Sequence, residues 1–420
     1  MPGPAPGPAA GTVHADTTTE VVCLGESMVT FLPSRPGRLA DVPSFGRGIG
    51  GAESNVACAL AAAGHRAAWV GRVGADGFGD HLVETIAGYG VDTSAVRRDP
   101  ARPTGIYFRT ATDRGTGAHE VAYYRAGSAA SAMSPSNVPY EELFAGRILH
   151  LSGITAALSA DCLALLRELT APRADRPLVS FDVNHRPRLW RDGDASVLLE
   201  LARRCDLVFV GEDEAEEAWG IVGAEAIRAA LPEPSVVVVK RGSAGATVYA
   251  AGPGAPGRGA DAVTVVPAEG ADAVTPAPAA DTVTVVPAEG ADTVTPAPAA
   301  DTVTVVPAEG ADTVTPAPAA DTVTVVPALR VDVVAAVGAG DAFAAGFLSA
   351  TLRGLPVRDR VRHGHLMAAA VLTVPGDLTD PPARDHADRL VALDDGAWGR
   401  LRLGPGWTAA DRAHEEVRTP

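Results

Sequence analysis

An α/β fold with a mainly parallel central sheet, covered by helices on both faces, is predicted by three features of this chain. Short apolar runs, rich in β-branched residues, recur along it. Helical stretches separate several of them. The runs are apolar throughout rather than alternating, as strands buried on both faces require. The 420 residues, 46% hydrophobic, are enough for one large or two medium domains with a full core.

The elements follow in order. Val21-Val22-Cys23-Leu24 reads as a buried strand ending at Gly25-Glu26, and Glu53 to Ala63 as an Ala-rich helix. Ala67–Val70 is strand-like before Gly71, and Gly79 to Tyr89 helical. Four further strands are expected at Ile148–Leu151, Leu178–Phe181, Leu207–Val210 and Val236–Val239, with helices at Cys162–Leu169, Ala195–Arg204 and Ala224–Leu231. Ligands of such sheets bind beyond the carboxyl ends of the strands. Asp182, Gly211 and Lys240 follow strand ends and are expected on one rim. Met28–Leu32, Ile106–Thr110 and Glu120–Tyr124 break the alternation and read as antiparallel strands, the last two flanking the loop Asp113–Gly117. A small accessory sheet over the rim is expected, where it would exclude water.

The formal charge of −16 argues against nucleic acid or an anionic membrane as the main partner. It is unevenly placed: residues 260–328 hold seven Asp and three Glu with no Lys or Arg. Cys23, Cys58, Cys162 and Cys205 are widely spaced in apolar segments, which speaks for buried free thiols and against structural zinc. Residues 1–18 read as a disordered leader rather than a signal peptide, and no apolar run is long enough to span a bilayer. A cytoplasmic protein is expected.

Residues 260–327 carry a 20-residue unit in three copies and a truncated fourth, with Asp261, Asp281, Asp301 and Asp321 in register. The unit has no aromatic residue, Leu or Ile, and Pro and Gly punctuate its Thr-Val-Thr-Val-Val runs. A low-complexity insertion, disordered or in loose hairpins, is expected, with an ordered β-solenoid or a partner-binding role as the alternative. It interrupts a hairpin expected between Ala246–Ala250 and Leu329–Val334.

The chemistry concentrates in Val337-Gly338-Ala339-Gly340-Asp341-Ala342-Phe343, at the start of a helical stretch. Glycines let backbone N–H groups converge, and a helix N-terminus adds partial positive charge, so the place suits a phosphate. Asp341 there is positioned to take a proton from a hydroxyl attacking that phosphate. An ordinary helix cap is the alternative. Gly48-Ile49-Gly50-Gly51-Ala52-Glu53-Ser54-Asn55 is a glycine-rich turn entering a helix, with Asn55 in reach of a sugar hydroxyl, and Gly71–Gly79 is a second such loop.

Together these stretches resemble the ribokinase, or PfkB, family of carbohydrate kinases, over roughly residues 20–250 and 328–390. The resemblance implies a ribokinase-like three-layer α/β sandwich at 19–259 and 328–395, with a β lid at about 28–46 and 105–125 and a tail at 396–420. It implies transfer of the γ-phosphate of ATP, with Mg2+, to a sugar hydroxyl. Asp341 would be the general base, and the N–H groups of Ala339, Gly340 and Asp341 would form the anion hole, with Gly338 in the same catalytic turn. Lys240, the sole lysine of the chain, and Gly242 match the family's Lys-x-Gly nucleotide motif. Glu214 matches the Glu of its Asn-x-x-Glu motif, where it organises magnesium indirectly, but Gly211 replaces the Asn. For Glu212, Glu216 and Glu217 a solvated helix face is the reading. Ala335-Ala336 stand where the family usually has Asp-Thr, which speaks against potassium activation.

Tyr123-Tyr124-Arg125 and Asp182-Val183-Asn184-His185-Arg186 resemble the 2-keto-3-deoxygluconate kinase branch, the second pattern being shared with fructokinases. A sugar acid carries a carboxylate, which Arg binds bidentately. The resemblance places Gly50, Gly51, Asn55, Tyr107, Tyr123, Arg125 and Arg186 around the sugar; for each Arg a surface ion pair is the alternative. Fructokinase, or another sugar kinase of the family, is the alternative function. A non-catalytic sugar-binding regulator whose repeats recruit a partner is a more distant one. A homodimer through the lid is also implied.

Overall fold

The computed structural model describes residues 19–35, 37–110, 120–173, 176–190, 193–251 and 321–409. In chain order the strands are β1 (Val21–Leu24), β2 (Met28–Pro33), β3 (Phe45–Gly50), β4 (Ala67–Val70), β5 (Arg72–Gly74), β6 (Arg97–Asp99), β7 (Ile106–Arg109) and β8 (Val121–Tyr124). Then follow β9 (Ile148–Ser152), β10 (Leu178–Asp182), β11 (Leu207–Gly211), β12 (Val236–Lys240), β13 (Ala246–Ala250), β14 (Thr322–Val326), β15 (Arg330–Val331) and β16 (Arg402–Leu403). Eight of them form one sheet in the order β14-β13-β12-β11-β10-β9-β1-β4. Pairing is parallel from β12 to β4, and β13 and β14 add antiparallel strands at one edge.

Side chains of a strand alternate between its two faces, and each face of this sheet feeds its own core. Val21, Cys23, Leu207, Phe209, Val236 and Val238 join one core, beneath helices Ala52–Ala62, Ala339–Leu352, Val357–Leu372 and Arg384–Val391. Val22, Leu24, Val208, Val210, Val237 and Val239 join the other, against helices Ala160–Leu169, Ser196–Ala202 and Ala224–Ala230. The result is the expected three layers. Phe209 meets Phe347 edge-on, ring centroids 5.4 Å apart, which ties the helix that starts at the glycine motif to the sheet.

A second sheet, β3-β2-β7-β8, makes the expected lid. Phe31 stacks on Phe108 at 4.7 Å, and Phe45 meets Phe108 edge-on. The lid is larger than expected: the glycine run expected as a turn is β3, which reaches Gly50 opposite Met28. Three glycines in six residues carry no strand propensity, and it is the ladder offered by β2 that makes this segment extended. The loop Asp113–Gly117 lies outside the described residues, as do residues 1–18.

Two expected boundaries move. The hairpin partner of β13 is not Leu329–Val334 but Thr322–Val326, inside the last repeat unit, with Val248 opposite Thr324. Most of the expected insertion lies outside the described residues, but its final copy is a strand of the main sheet. Residues 396–409 are not a tail: β16 pairs with β15, and Trp398 and Trp407 are fully buried. Two large aromatic side chains bury too much apolar surface to be left in solvent. All four cysteines are free and buried, and burial raises their pKa values, that of Cys58 to about 12. Among the described residues no helix is long and apolar enough to cross a membrane.

Candidate functional site

Strands β10, β11 and β12 end side by side at Asp182, Gly211 and Lys240, with Asp182 opposite Phe209 and Gly211 opposite Lys240. Helix Ala339–Leu352 points its N-terminus at this rim. Gly338 caps it in the left-handed conformation (φ 78°), and a Cβ there would lie 2.6 Å from the Asp377 carbonyl oxygen. Both conditions require glycine. No side chain caps the helix, so the N–H groups of its first turn stay available for an anion. At Gly340 the space is open except for Lys240 Nζ, 3.7 Å from where a Cβ would stand.

Asp341 accepts a hydrogen bond from Asn55 Nδ2 at 2.8 Å, which joins the two glycine motifs across the rim. Burial pushes its carboxyl up to about 7; the Asn55 bond opposes this, Asp182 adds to it, and Arg186 and Lys240 oppose it. Lys240 Nζ donates to both carboxylate oxygens of Asp182, at 3.0 and 3.2 Å, and lies 4.0 Å from Glu214. Burial works against its charge, but Asp182 and Glu214 outweigh it and raise its pKa. Glu214 accepts from the Gly211 N–H at 2.8 Å and lies 3.5 Å from the half-exposed Arg186. Gly242 turns the chain after β12 with φ 52° and has open space beside it.

On the lid side, Gly50 lets Tyr107 approach: a Cβ there would come within 2.2 Å of the Tyr107 hydroxyl. A Cβ on Gly51 would meet the Glu26 carbonyl oxygen at 2.4 Å. Tyr107 Oη donates to Asp377 at 3.1 Å, and Arg109 donates to the other Asp377 oxygen at 2.5 Å. Tyr123 tilts over Tyr107 with centroids 5.4 Å apart. The Arg125 guanidinium lies 5.7 Å from the Tyr123 ring and pairs with buried Glu26, whose Oε1 accepts from Ser128 Oγ at 2.6 Å.

The residues expected at the site therefore gather in two groups. Asn55, Asp341, Lys240, Glu214 and Arg186 lie on the sheet rim; Gly50, Tyr107 and Tyr123 lie in the lid strands, with Arg125 just after β8. Four residues that join them went unassigned in the sequence. Glu26 follows the end of β1, and the rule for strand ends would have found it. Asp182 is legible as a rim residue from its strand end, but that position alone assigns it no role. Arg109 carried no motif, and Asp377 sits in a Gly-Asp pair between elements, with no signal of its own.

A family model described as pfkB family carbohydrate kinase matches residues 18–285 and 299–384. A 2-dehydro-3-deoxygluconokinase of Bacillus subtilis is 36% identical over 205 residues, and one of Thermoproteus tenax 33% over 244. These alignments take in 48% and 57% of this chain and span 63% and 74% of those relatives' lengths. A fructokinase-1 of Oryza sativa is 31% identical over 236 residues, 55% of this chain and 72% of its own. Among solved structures, a PfkB protein from Polaromonas sp. superposes with TM-score 0.61 at 28% identity, covering 84% of this chain and 95% of that one. A 2-dehydro-3-deoxygluconokinase from Thermotoga maritima shares the fold, with TM-score 0.63 at 22% identity over 89% of this chain and 98% of its own.

Proposed function

From the premise that this chain belongs to the pfkB family of carbohydrate kinases, we propose that it transfers the γ-phosphate of ATP to the primary hydroxyl of a sugar acid, 2-keto-3-deoxygluconate. One observation carries the transfer step. Asp341, with its carboxyl held near neutrality, sits in the first turn of an uncapped helix, with Lys240 beside that turn. A carboxylate poised near the working pH is suited to general base catalysis. Asp341 accepts the hydroxyl proton as the sugar oxygen bonds to the γ-phosphorus and ADP departs. The N–H groups of Ala339, Gly340 and Asp341 and the Lys240 ammonium stabilise the charge on the transferring group. Asn55 orients the base.

Among the described residues no cluster of three or more His, Cys, Asp or Glu forms a metal cage. The two carboxylates beside Lys240, Asp182 and Glu214, fit a magnesium ion that would be bound mainly through nucleotide phosphates and water, with these side chains holding the waters. Magnesium there would neutralise phosphate charge. Potassium is not expected to activate, because Ala335 offers no carboxylate.

The choice of a sugar acid rests on Arg125 and Arg186, one just after lid strand β8 and one on the rim, and on the names of the Bacillus and Thermoproteus relatives. Glu26 and Tyr123 hold the Arg125 guanidinium in place, and Arg125 Nε has no hydrogen-bond partner among the described residues. Fructokinase is the second reading, favoured by the Oryza relative. ADP release measured across a panel of sugars with ATP and magnesium decides: preference for the keto acid is expected, and preference for fructose would overturn the assignment. We also propose pairing of two copies through the lid, whose Tyr124 is 65% exposed.

A further inference from the structure

Strand β14 lies at the edge of the main sheet, and its contacts come from one octapeptide, Asp321–Ala328. Its backbone pairs with β13 from Thr322 to Val326. Asp321 takes a two-pronged ion pair from Arg228, with bonds of 2.6 and 2.9 Å. Val326 is 2% exposed and belongs to the core, where β14 packs against helix Val357–Leu372. The carbonyl of Pro327 accepts from Trp398 Nε1 at 3.1 Å.

The same octapeptide, Asp-Thr-Val-Thr-Val-Val-Pro-Ala, recurs without change at 281–288 and 301–308. At 261–268 it recurs with Ala262 in place of the Thr, a position that is exposed in the strand (Thr322). Every group that holds β14 in its slot is thus present in each upstream copy: the carboxylate for Arg228, the buried valine and the proline carbonyl for Trp398. Because the copies differ by whole units, exchanging one for another keeps the side-chain facing, which a shift by a single residue would invert.

We propose that the slot formed by β13, Arg228 and Trp398 is an interaction surface for the repeat unit itself, and that copies Asp301–Ala308 and Asp281–Ala288 of the same chain are reserve edge strands. Asp321–Ala328 is the preferred occupant because it runs directly into Leu329 and β15. Seating Asp301–Ala308 instead places the 20 residues 309–328 in a second loop, and the cost of closing a loop grows only slowly with its length. The fold then tolerates loss or gain of whole units, and damage to the fourth copy is repaired by the third.

The test compares Val326→Asp with the quadruple variant Val266→Asp/Val286→Asp/Val306→Asp/Val326→Asp in the full chain. The single variant is expected to unfold cooperatively with its Tm lowered by only a few degrees, and the quadruple to lose cooperative unfolding. In the Val326→Asp background, Thr247→Cys is expected to form a disulfide with Val305→Cys, the counterpart of Val325, which stands opposite Thr247. Three results overturn the proposal. The single variant melts like the quadruple; the quadruple melts like the unaltered protein; or no intrachain bond forms from either Val305→Cys or Val285→Cys. A bond found only between two chains means that a second copy fills the slot, which overturns it as well.

Discussion

At the scale of single residues, the site depends on two carboxylates with different partners, Asp341 half-buried on the rim and Asp377 buried. Asp341 has its pKa raised from the ordinary 3.8 to about 7, chiefly by burial. A base must be ionised, so on the role proposed for Asp341 kcat/KM is expected to rise with pH through about 7. Asp341→Asn is expected to cut turnover roughly 10²–10⁴-fold with sugar binding little changed, read by calorimetric titration alongside rates. Stability carries the opposite sign: a raised folded-state pKa gives a contribution that is full below the unfolded value of 3.8 and lost as pH rises through about 7. The Tm difference between Asp341→Asn and the unaltered protein is therefore expected to shift in favour of the variant between those two pH values. Asp377 has the buried Arg109 guanidinium as its partner, with side chains 5% and 8% exposed. Asp377→Ala strands that charge and is expected to cost about 3–5 kcal/mol in urea unfolding. Replacing both, as Arg109→Met/Asp377→Leu, is expected to recover much of the loss, while a double change as costly as the single one counts against an ion pair under the lid.

At the scale of elements, the two glycines of the helix start do different work. A side chain at Gly338 meets both a left-handed backbone and the Asp377 backbone at 2.6 Å, so Gly338→Ala is expected to lower Tm and activity together. Gly340 has φ in the helical range of its helix, and a Cβ there meets only Lys240 Nζ at an ordinary 3.7 Å. Gly340→Ala is expected to leave Tm unchanged or raised, since Ala is the better helix former, yet to raise the KM for ATP by filling the anion cradle. Equal damage from the two changes, in paired melting and kinetic measurements, contradicts this division. The same contrast explains what was legible in the sequence. The buried strands β9 to β12 were readable because a continuous apolar run has few other fates. The helix start at Gly338 was readable because its glycines and Asp341 stand together. Strand β3 was hidden because its glycines deny it propensity and only the neighbouring β2 makes it extended. Asp377 was hidden because its partners, Tyr107 and Arg109, are distant in sequence and reach it only once the lid folds over the rim.

At the scale of the whole molecule, the repeat region and the catalytic body share one strand, and that fixes where the chain tolerates cutting. Removing residues 260–326 deletes β14, leaves Arg228 without Asp321 and exposes the edge of β13. Removing 261–320 takes out the three complete units, one residue out of step with their start, and joins Ala260 to Asp321, so the octapeptide and its whole set of contacts survive. A shortened loop between antiparallel neighbours is readily closed. The shorter deletion is therefore expected to keep Tm and kinase activity near those of the full chain. The longer one is expected to lower Tm and promote association through the uncovered edge, a known hazard of unpaired strands. Melting curves and size-exclusion profiles of the two deletions, measured side by side, separate the possibilities. If both behave like the full chain, β14 contributes nothing to the sheet. If both fail, the upstream units contribute to the fold in a way that one occupied slot does not explain.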